Sequence, residues 1–194
     1  MIVGITGGIG SGKTTVVNLF KKQGDIAIYN ADIEAKKLMV ESGTIKNRLL
    51  ESFGNQSYIK GDLNRNYISN IVFSDKNKLA LLNSIVHPEV FKHFEDFIKQ
   101  NAYKDYILYE NAILFENGSD KMCDVIITVT ANQDLKIDRV MKRDSCSRAD
   151  VLSRMNHQWS DSKKALQSNY VVVNDTLNIV ETQIVTIHNN LTKK

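Results

Sequence analysis

The sequence predicts an α/β fold: a five-stranded parallel sheet flanked by helices, with a helical insertion between the second and third strands. Three observations predict it. Apolar runs of strand length alternate with stretches of helical periodicity, the pattern of parallel strands covered on both faces. A glycine-rich segment, "GITGGIGSGKTT", joins the first strand directly to the first helix. Over residues 32–104 the periodicity then stays helical. A chain of 194 residues, 42% of them apolar, is enough to bury one core.

Residues 2–6 read as a buried strand, and residues 13–22, apolar at Val16, Val17, Leu19 and Phe20, as a helix stopped by Gly24. Residues 26–30 form the second strand. The helical stretch has stops at Gly43, Gly54 and Gly61, and Pro88, the chain's one proline, reads as the first position of a new helix. Residues 105–110, 124–130 and 169–173 read as three further strands, separated by helices near 133–142 and 149–157. The last helix carries Leu177, Val180, Ile184, Ile187 and Leu191. That spacing over two heptads is too short for a coiled-coil seam and reads as a face packed on the sheet. No repeat, low-complexity tract or Gly/Ser-rich linker divides the chain, so residues 1–194 are read as one domain with 32–104 as an insertion and 139–165 as a lid.

Charge and cysteine usage exclude several classes. Net charge is +3 from 25 basic and 22 acidic residues, too balanced for a nucleic-acid-coating surface. Cys123 and Cys146 lack the spacing of a disulfide framework or a zinc site. The longest apolar runs, such as 125–129, are strand-sized, and the N-terminus lacks the pattern of a signal peptide. The expectation is a cytoplasmic protein with no membrane and no nucleic-acid partner.

Gly7, four residues, then Gly12-Lys13-Thr14 matches G-x-x-x-x-G-K-[ST], placed between a strand and a helix. Backbone N–H groups of such a loop point inward around phosphates, and the helix adds the positive end of its dipole. Lys13 is expected to reach the β and γ phosphates and the Thr14 hydroxyl to coordinate Mg²⁺. The motif points to the P-loop nucleoside triphosphate hydrolase fold, but not to the reaction. A regulatory GTPase needs Asn-Lys-x-Asp, and the local echo, Asn132-Gln133-Asp134, reads as a helix cap. A motor or assembly ATPase carries an acidic residue after an apolar strand, for which Glu110 closing "YILYE" is a weak match.

A small-molecule kinase needs an acceptor pocket, a carboxylate near the acceptor hydroxyl and mobile cations. The insertion would supply the pocket. Asp32 falls just past the carboxyl end of the second strand, where open α/β sheets bind ligands, although the same residue suits a helix N-cap. Arg139, Arg143, Arg148 and Arg154 lie in one segment, and Arg139 and Arg143 share a helix face as a lid pair would. A solvated helix surface with local ion pairs is the alternative reading of those arginines.

Taken together, the loop, "NAD", "VHPEV", "LFE", the arginine segment and "NYVVVN" make this chain resemble the dephospho-coenzyme A kinase family over nearly its whole length. The family's T-G-G-I-G-S-G-K-[ST]-T signature is matched by Thr6 to Thr15, and its D-A-D by Asn30-Ala31-Asp32, which keeps the second aspartate, the family's general base. His-Pro matches His87-Pro88, and P-L-L-[FY]-E matches Ala112 to Glu116 with alanine for proline. The lid arginines match Arg139 and Arg143, R-x-x-x-Q matches Arg154 to Gln158, and A-D-[YF]-V-I-x-N matches Ser168 to Asn174. The departures at Asn30, Ala112 and Ser168-Asn169 remove no group the chemistry needs.

The resemblance implies ATP-dependent phosphorylation of the 3′-hydroxyl of dephospho-coenzyme A, the last step of coenzyme A biosynthesis. It implies catalysis by Lys13, Asp32, Arg139 and Arg143, and ATP held by Gly8, Ile9, Gly10, Ser11, Gly12, Lys13, Thr14, Thr15 and Asn174. Mg²⁺ would sit on Thr14 and the acceptor against Thr6, Asp32, His87 and Glu116. The expected working form is a monomer or weak homo-oligomer. The alternatives are another small-molecule or nucleotide kinase of the same core, or a nucleotide-binding regulatory ATPase.

Overall fold

The computed structural model describes residues 1–193; Lys194, the last position of the domain read as 1–194, lies outside the described residues. In chain order the elements are β1 (Ile2–Thr6), α1 (Lys13–Phe20), β2 (Ala27–Asn30), α2 (Ala31–Glu41), α3 (Gly43–Phe53), β3 (Tyr58–Ile59), β4 (Asp62–Leu63), α4 (Arg65–Ser74) and α5 (Lys76–Gln100). There follow β5 (Ile107–Glu110), β6 (Val125–Thr130), α6 (Gln133–Asp144), α7 (Arg148–Met155), α8 (Asp161–Ala165), β7 (Tyr170–Val173) and α9 (Leu177–Thr192). Contacts divide the chain into two units, Met1–Asn30 with Asn101–Lys194, and Ala31–Gln100.

The first unit holds a parallel five-stranded sheet in the order β2-β5-β1-β6-β7. Its core forms because Val3 and Ile5 of β1, Leu108 of β5, Ile127 and Val129 of β6 and Val172 of β7 are fully buried, met by Val16 and Phe20 of α1 and by Val180 and Ile184 of α9. The register sets Ile5 beside Glu110 and Thr6 beside Thr128, and Asn30 beside Glu110. The carboxyl ends of the strands therefore gather polar residues at one edge of an apolar sheet, the ligand-binding end of this architecture.

β6 and β7 each begin one residue later than the sequence reading, because the polar residue ahead of each binds with its side chain. Asp124 Oδ2 accepts from the Ile2 amide at 2.7 Å, and Asn169 Oδ1 from the Ile126 amide at 2.8 Å. On the edge strand β7, the Gln183 amide of α9 donates to the Val173 carbonyl and accepts from its N–H, each at 3.0 Å. This occupies groups that an edge would otherwise offer to another strand. Of the α9 face expected to pack on the sheet, Val180, Ile184 and Ile187 are buried but Leu177, at the first turn, is 53% exposed.

The second unit corrects three expectations. Pro88 does not start a helix: it lies inside α5, which runs unbroken from Lys76 to Gln100. Interior proline removes one backbone hydrogen bond and costs about 3 kcal/mol, but Ile85 and Val86 on one side and Val90 and Phe94 on the other are all buried, and that packing holds the helix through it. Gly43 opens α3 rather than stopping its predecessor, with Ser42 as the cap accepting from the Ile45 amide. The break at Gly61 is a hairpin: β3 and β4 pair Ile59 with Asp62 across Lys60 and Gly61, both at positive φ, the backbone of a two-residue turn matched to strand twist.

Candidate functional site

The glycine loop between β1 and α1 is shaped by close approach of neighbouring elements. Gly12 has φ +84°, and a Cβ there would lie 2.0 Å from Asn174 Nδ2. Gly10 has φ +79°, and its Cβ would lie 2.3 Å from the Lys136 carbonyl oxygen. Both positions therefore demand glycine, for backbone conformation and for space. Gly12 caps α1, whose first amides, those of Lys13, Thr14 and Thr15, have no acceptor within the helix. Lys13 arches back over the loop, its Nζ donating to the Gly7 carbonyl at 2.8 Å.

The loop's two halves differ. Asp161 Oδ1 accepts from the Gly8 amide at 3.2 Å and Gln158 Oε1 from the Ile9 amide at 2.9 Å. Both residues were assigned to nucleotide by resemblance, yet their N–H groups are engaged by side chains of this chain.

Beside the helix end of the loop, the Thr14 hydroxyl donates to Glu110 Oε1 at 3.5 Å, and Asn30 Nδ2 donates to Glu110 Oε2 at 2.6 Å. Glu110 is buried at the carboxyl end of β5. Its signal in the sequence, an acidic residue closing an apolar strand, was weak until the register placed that strand next to β1. Among the described residues no three His, Cys, Asp or Glu side chains could hold a metal by themselves. A hydroxyl next to a carboxylate still fits Mg²⁺, which takes few protein oxygens and completes its shell with phosphates and water.

Arg139, on α6, donates from Nη2 to the Asn174 carbonyl at 2.9 Å, and Asn174 Nδ2 donates to the Ser11 carbonyl at 2.8 Å. The Asn174 amide itself is fixed by the Thr130 carbonyl at the end of β6. Arg139 Nη1 is buried without an acceptor, 3.8 Å from where a Cβ on Gly12 would stand. A buried guanidinium nitrogen without a partner is costly, and an anionic oxygen is the acceptor that suits it.

Arg143 is arranged differently. Its Nε and Nη2 donate to the two oxygens of Asp144 at 2.7 and 3.1 Å, and Arg154 adds a bond to Asp144 at 2.8 Å. Hydrogen bonding from Arg143 first, and the charges of Arg143 and Arg154, hold the Asp144 carboxyl at about 2. Arg148 is paired with Asp134 at 2.6 Å. The local ion-pair reading thus describes Arg143, Arg148 and Arg154, and Arg139 stands apart from them.

On the other side of β1, Thr6 is buried and donates to the Ala112 carbonyl at 3.4 Å. Glu116 Oε1 is taken by the fully buried Lys164 at 2.9 Å and by the Trp159 amide at 2.8 Å, while its Oε2 is buried without a partner. Lys164 also donates to the Ala112 carbonyl at 2.6 Å. Asp32 and His87 belong to the Ala31–Gln100 unit. Asp32 is exposed in the first turn of α2, one residue inside the helix rather than at its cap. His87 is exposed on α5, and partial desolvation lowers its imidazole pKa.

A model of the dephospho-CoA kinase family matches residues 1–179. A protein described as dephospho-CoA kinase from Salinibacter ruber is 39% identical over 180 residues, covering 91% of this chain and 90% of its own. Another, from Chlorobaculum tepidum, is 36% identical over 200 residues, covering 98% and 95%. Among solved structures, TT1252 from Thermus thermophilus superposes with a TM-score of 0.90 at 27% identity, covering 100% of this chain and 98% of that one. A dephospho-CoA kinase from Campylobacter jejuni shares the fold with a TM-score of 0.72 at 19% identity, covering 98% and 96%.

Proposed function

The chain belongs to the dephospho-CoA kinase family, and on that premise we propose that it transfers the γ-phosphoryl group of ATP to the 3′-hydroxyl of dephospho-coenzyme A, giving coenzyme A and ADP. The observation that carries this reading is Arg139 Nη1, buried without an acceptor beside Gly12 of a loop shaped for phosphate.

In this mechanism the amides of Gly10 and of Gly12 to Thr15 at the end of α1 hold the β and γ phosphates, with Gly8 and Ile9 framing the loop, the Ser11 amide closing it on the Gly8 carbonyl and Asn174 fixing its far side. Lys13 exchanges the Gly7 carbonyl for phosphate oxygens. Thr14, with Glu110 behind it, would hold Mg²⁺, which would supply neutralisation of phosphate charge. Asp32 orients the 3′-hydroxyl and takes its proton as the new O–P bond forms and the bond to the β–γ bridging oxygen breaks. Arg139 balances charge on the transferring group, and Arg143 joins it by releasing Asp144. Thr6, His87 and Glu116 serve the acceptor side. Residues 139–165 act as the lid and 32–104 as the acceptor unit, so that closure excludes water as a competing acceptor. No helix among the described residues is long and apolar enough to cross a membrane. The reaction is assigned to the cytoplasm and to a monomer or weak homo-oligomer.

A coupled ADP-release assay with ATP and Mg²⁺ tests the reading, comparing dephospho-coenzyme A with adenosine, AMP, shikimate and no acceptor. Release that requires dephospho-coenzyme A and yields coenzyme A is the expected result. Equal release without an acceptor means an ATPase, and release with another acceptor keeps the kinase but discards this substrate.

A further inference from the structure

Asp161 stands at the start of α8, outside every motif that carries the phosphate chemistry, yet its carboxylate joins three separate elements. Oδ1 accepts from the Gly8 amide of the glycine loop at 3.2 Å. Oδ2 accepts from Lys136 Nζ of α6 at 2.5 Å and from the Thr130 hydroxyl at the end of β6 at 2.8 Å. Three residues earlier, Gln158 Oε1 holds the next loop amide, that of Ile9, at 2.9 Å. Lys136 also borders the loop through its backbone, because its carbonyl oxygen is the atom that a Cβ on Gly10 would strike.

The Lys136 and Asp161 side chains are only 11% and 17% exposed. An ion pair so far removed from water depends on both partners, since removing one leaves the other charge desolvated and uncompensated. Here the charge left behind would be an ammonium 3.6 Å from where a Cβ on Gly8 would stand, close to a loop meant for triphosphate. Asp161 therefore does two things at once. It pins the loop's first half to β6 and α6, and it keeps Lys136 neutralised so that phosphate is drawn to the loop's second half.

We propose that Asp161 is a positioning residue for phosphoryl transfer: with Lys136 and Gln158 it holds Gly8 and Ile9 so that the amides after them are set for the phosphates before nucleotide arrives. The proposal rests on the glycine loop being the ATP site. It does not depend on the identity of the acceptor.

The test combines calorimetric titration with Mg·ADP and steady-state kinetics for Asp161→Ala, Asp161→Asn and the Lys136→Gln/Asp161→Asn pair. For Asp161→Ala the expected result is about a tenfold weaker Mg·ADP affinity and a matching loss in kcat/KM for ATP, with KM for dephospho-coenzyme A within about twofold of wild type. Asp161→Asn keeps the shape but strands the Lys136 charge, and is expected to lose about three- to tenfold. The neutral Gln/Asn pair should recover most of that loss, a coupling that a general loss of fold would not show. Nucleotide affinity and kcat/KM for ATP within about twofold of wild type in both single variants would overturn the proposal. So would equal losses for both substrates with no recovery in the pair. If Asp161→Ala does not fold, Asp161→Asn and the pair decide alone. Wild-type protein that binds Mg·ADP but does not use dephospho-coenzyme A would sink the acceptor assignment and leave the Asp161 measurement standing.

Discussion

Arg139 gives one nitrogen to the Asn174 carbonyl and has a second buried without an acceptor, which on the proposed reading is met by a phosphate oxygen. Lysine cannot do both, because it offers a single ammonium where guanidinium offers a fork. Arg139→Lys should lower kcat/KM for ATP by about 10²-fold, the loss typical of one preorganised donor at a developing charge, as initial rates at saturating dephospho-coenzyme A would show. Asp32→Asn should lower kcat by about 10²-fold or more with Mg·ADP affinity unchanged, and wild-type turnover in that variant would remove Asp32 from the chemistry. Cys123 makes a prediction of a different kind. Burial first, then the charges of Asp120 and Asp124, pushes its thiol up to about 12. The folded protein therefore keeps it protonated at pH 8, far below that value. One thiol per chain, Cys146, should react with a chromogenic disulfide reagent at pH 8, and the second only after unfolding. At this scale the site was legible where a residue type is tied to a spacing, as for Lys13 and Thr14. Glu110 needed the strand register, and Asp161 was hidden because an aspartate after Ser160 at a helix start reads as ordinary first-turn chemistry.

Among the elements, the five strands of the parallel sheet were the most legible, since their apolar runs are too short for helices and alternate with stretches of helical period. α5 was the least, because proline is a strong local stop signal and only the buried residues on both sides of it reveal that packing prevails. The β3–β4 hairpin escaped for the opposite reason: strands of two residues are too short for any period to register. Pro88→Ala should restore the missing backbone bond to Ser84 and raise unfolding stability by about 1 kcal/mol or more, read as a higher urea midpoint at constant m. A midpoint unchanged or lowered would mean that the ring's own packing outweighs the lost bond.

For the whole molecule, the residues proposed above to hold nucleotide all lie in the first of the two units. A ligand present at a hundredfold its Kd stabilises the state that binds it by about 2.7 kcal/mol. Hydrogen exchange with Mg·ADP should therefore gain protection in the glycine loop, α1 and the segment around Asn174. Unchanged exchange in those three segments would contradict the proposed nucleotide site. The division itself was only partly legible: composition shows no linker, and the helical stretch announces itself by its lack of long strands rather than by any boundary signal.

The strands at either end of that stretch, β2 and β5, are direct neighbours in the sheet, with Asn30 beside Glu110. Parallel neighbours need a crossover, and a single helix of a dozen residues would suffice to make one. To the sheet, Ala31–Gln100 is therefore a cassette longer than the crossover requires, and on the reading proposed above a replacement would have to keep an aspartate in the place of Asp32 to re-address the phosphoryl group to a different recipient.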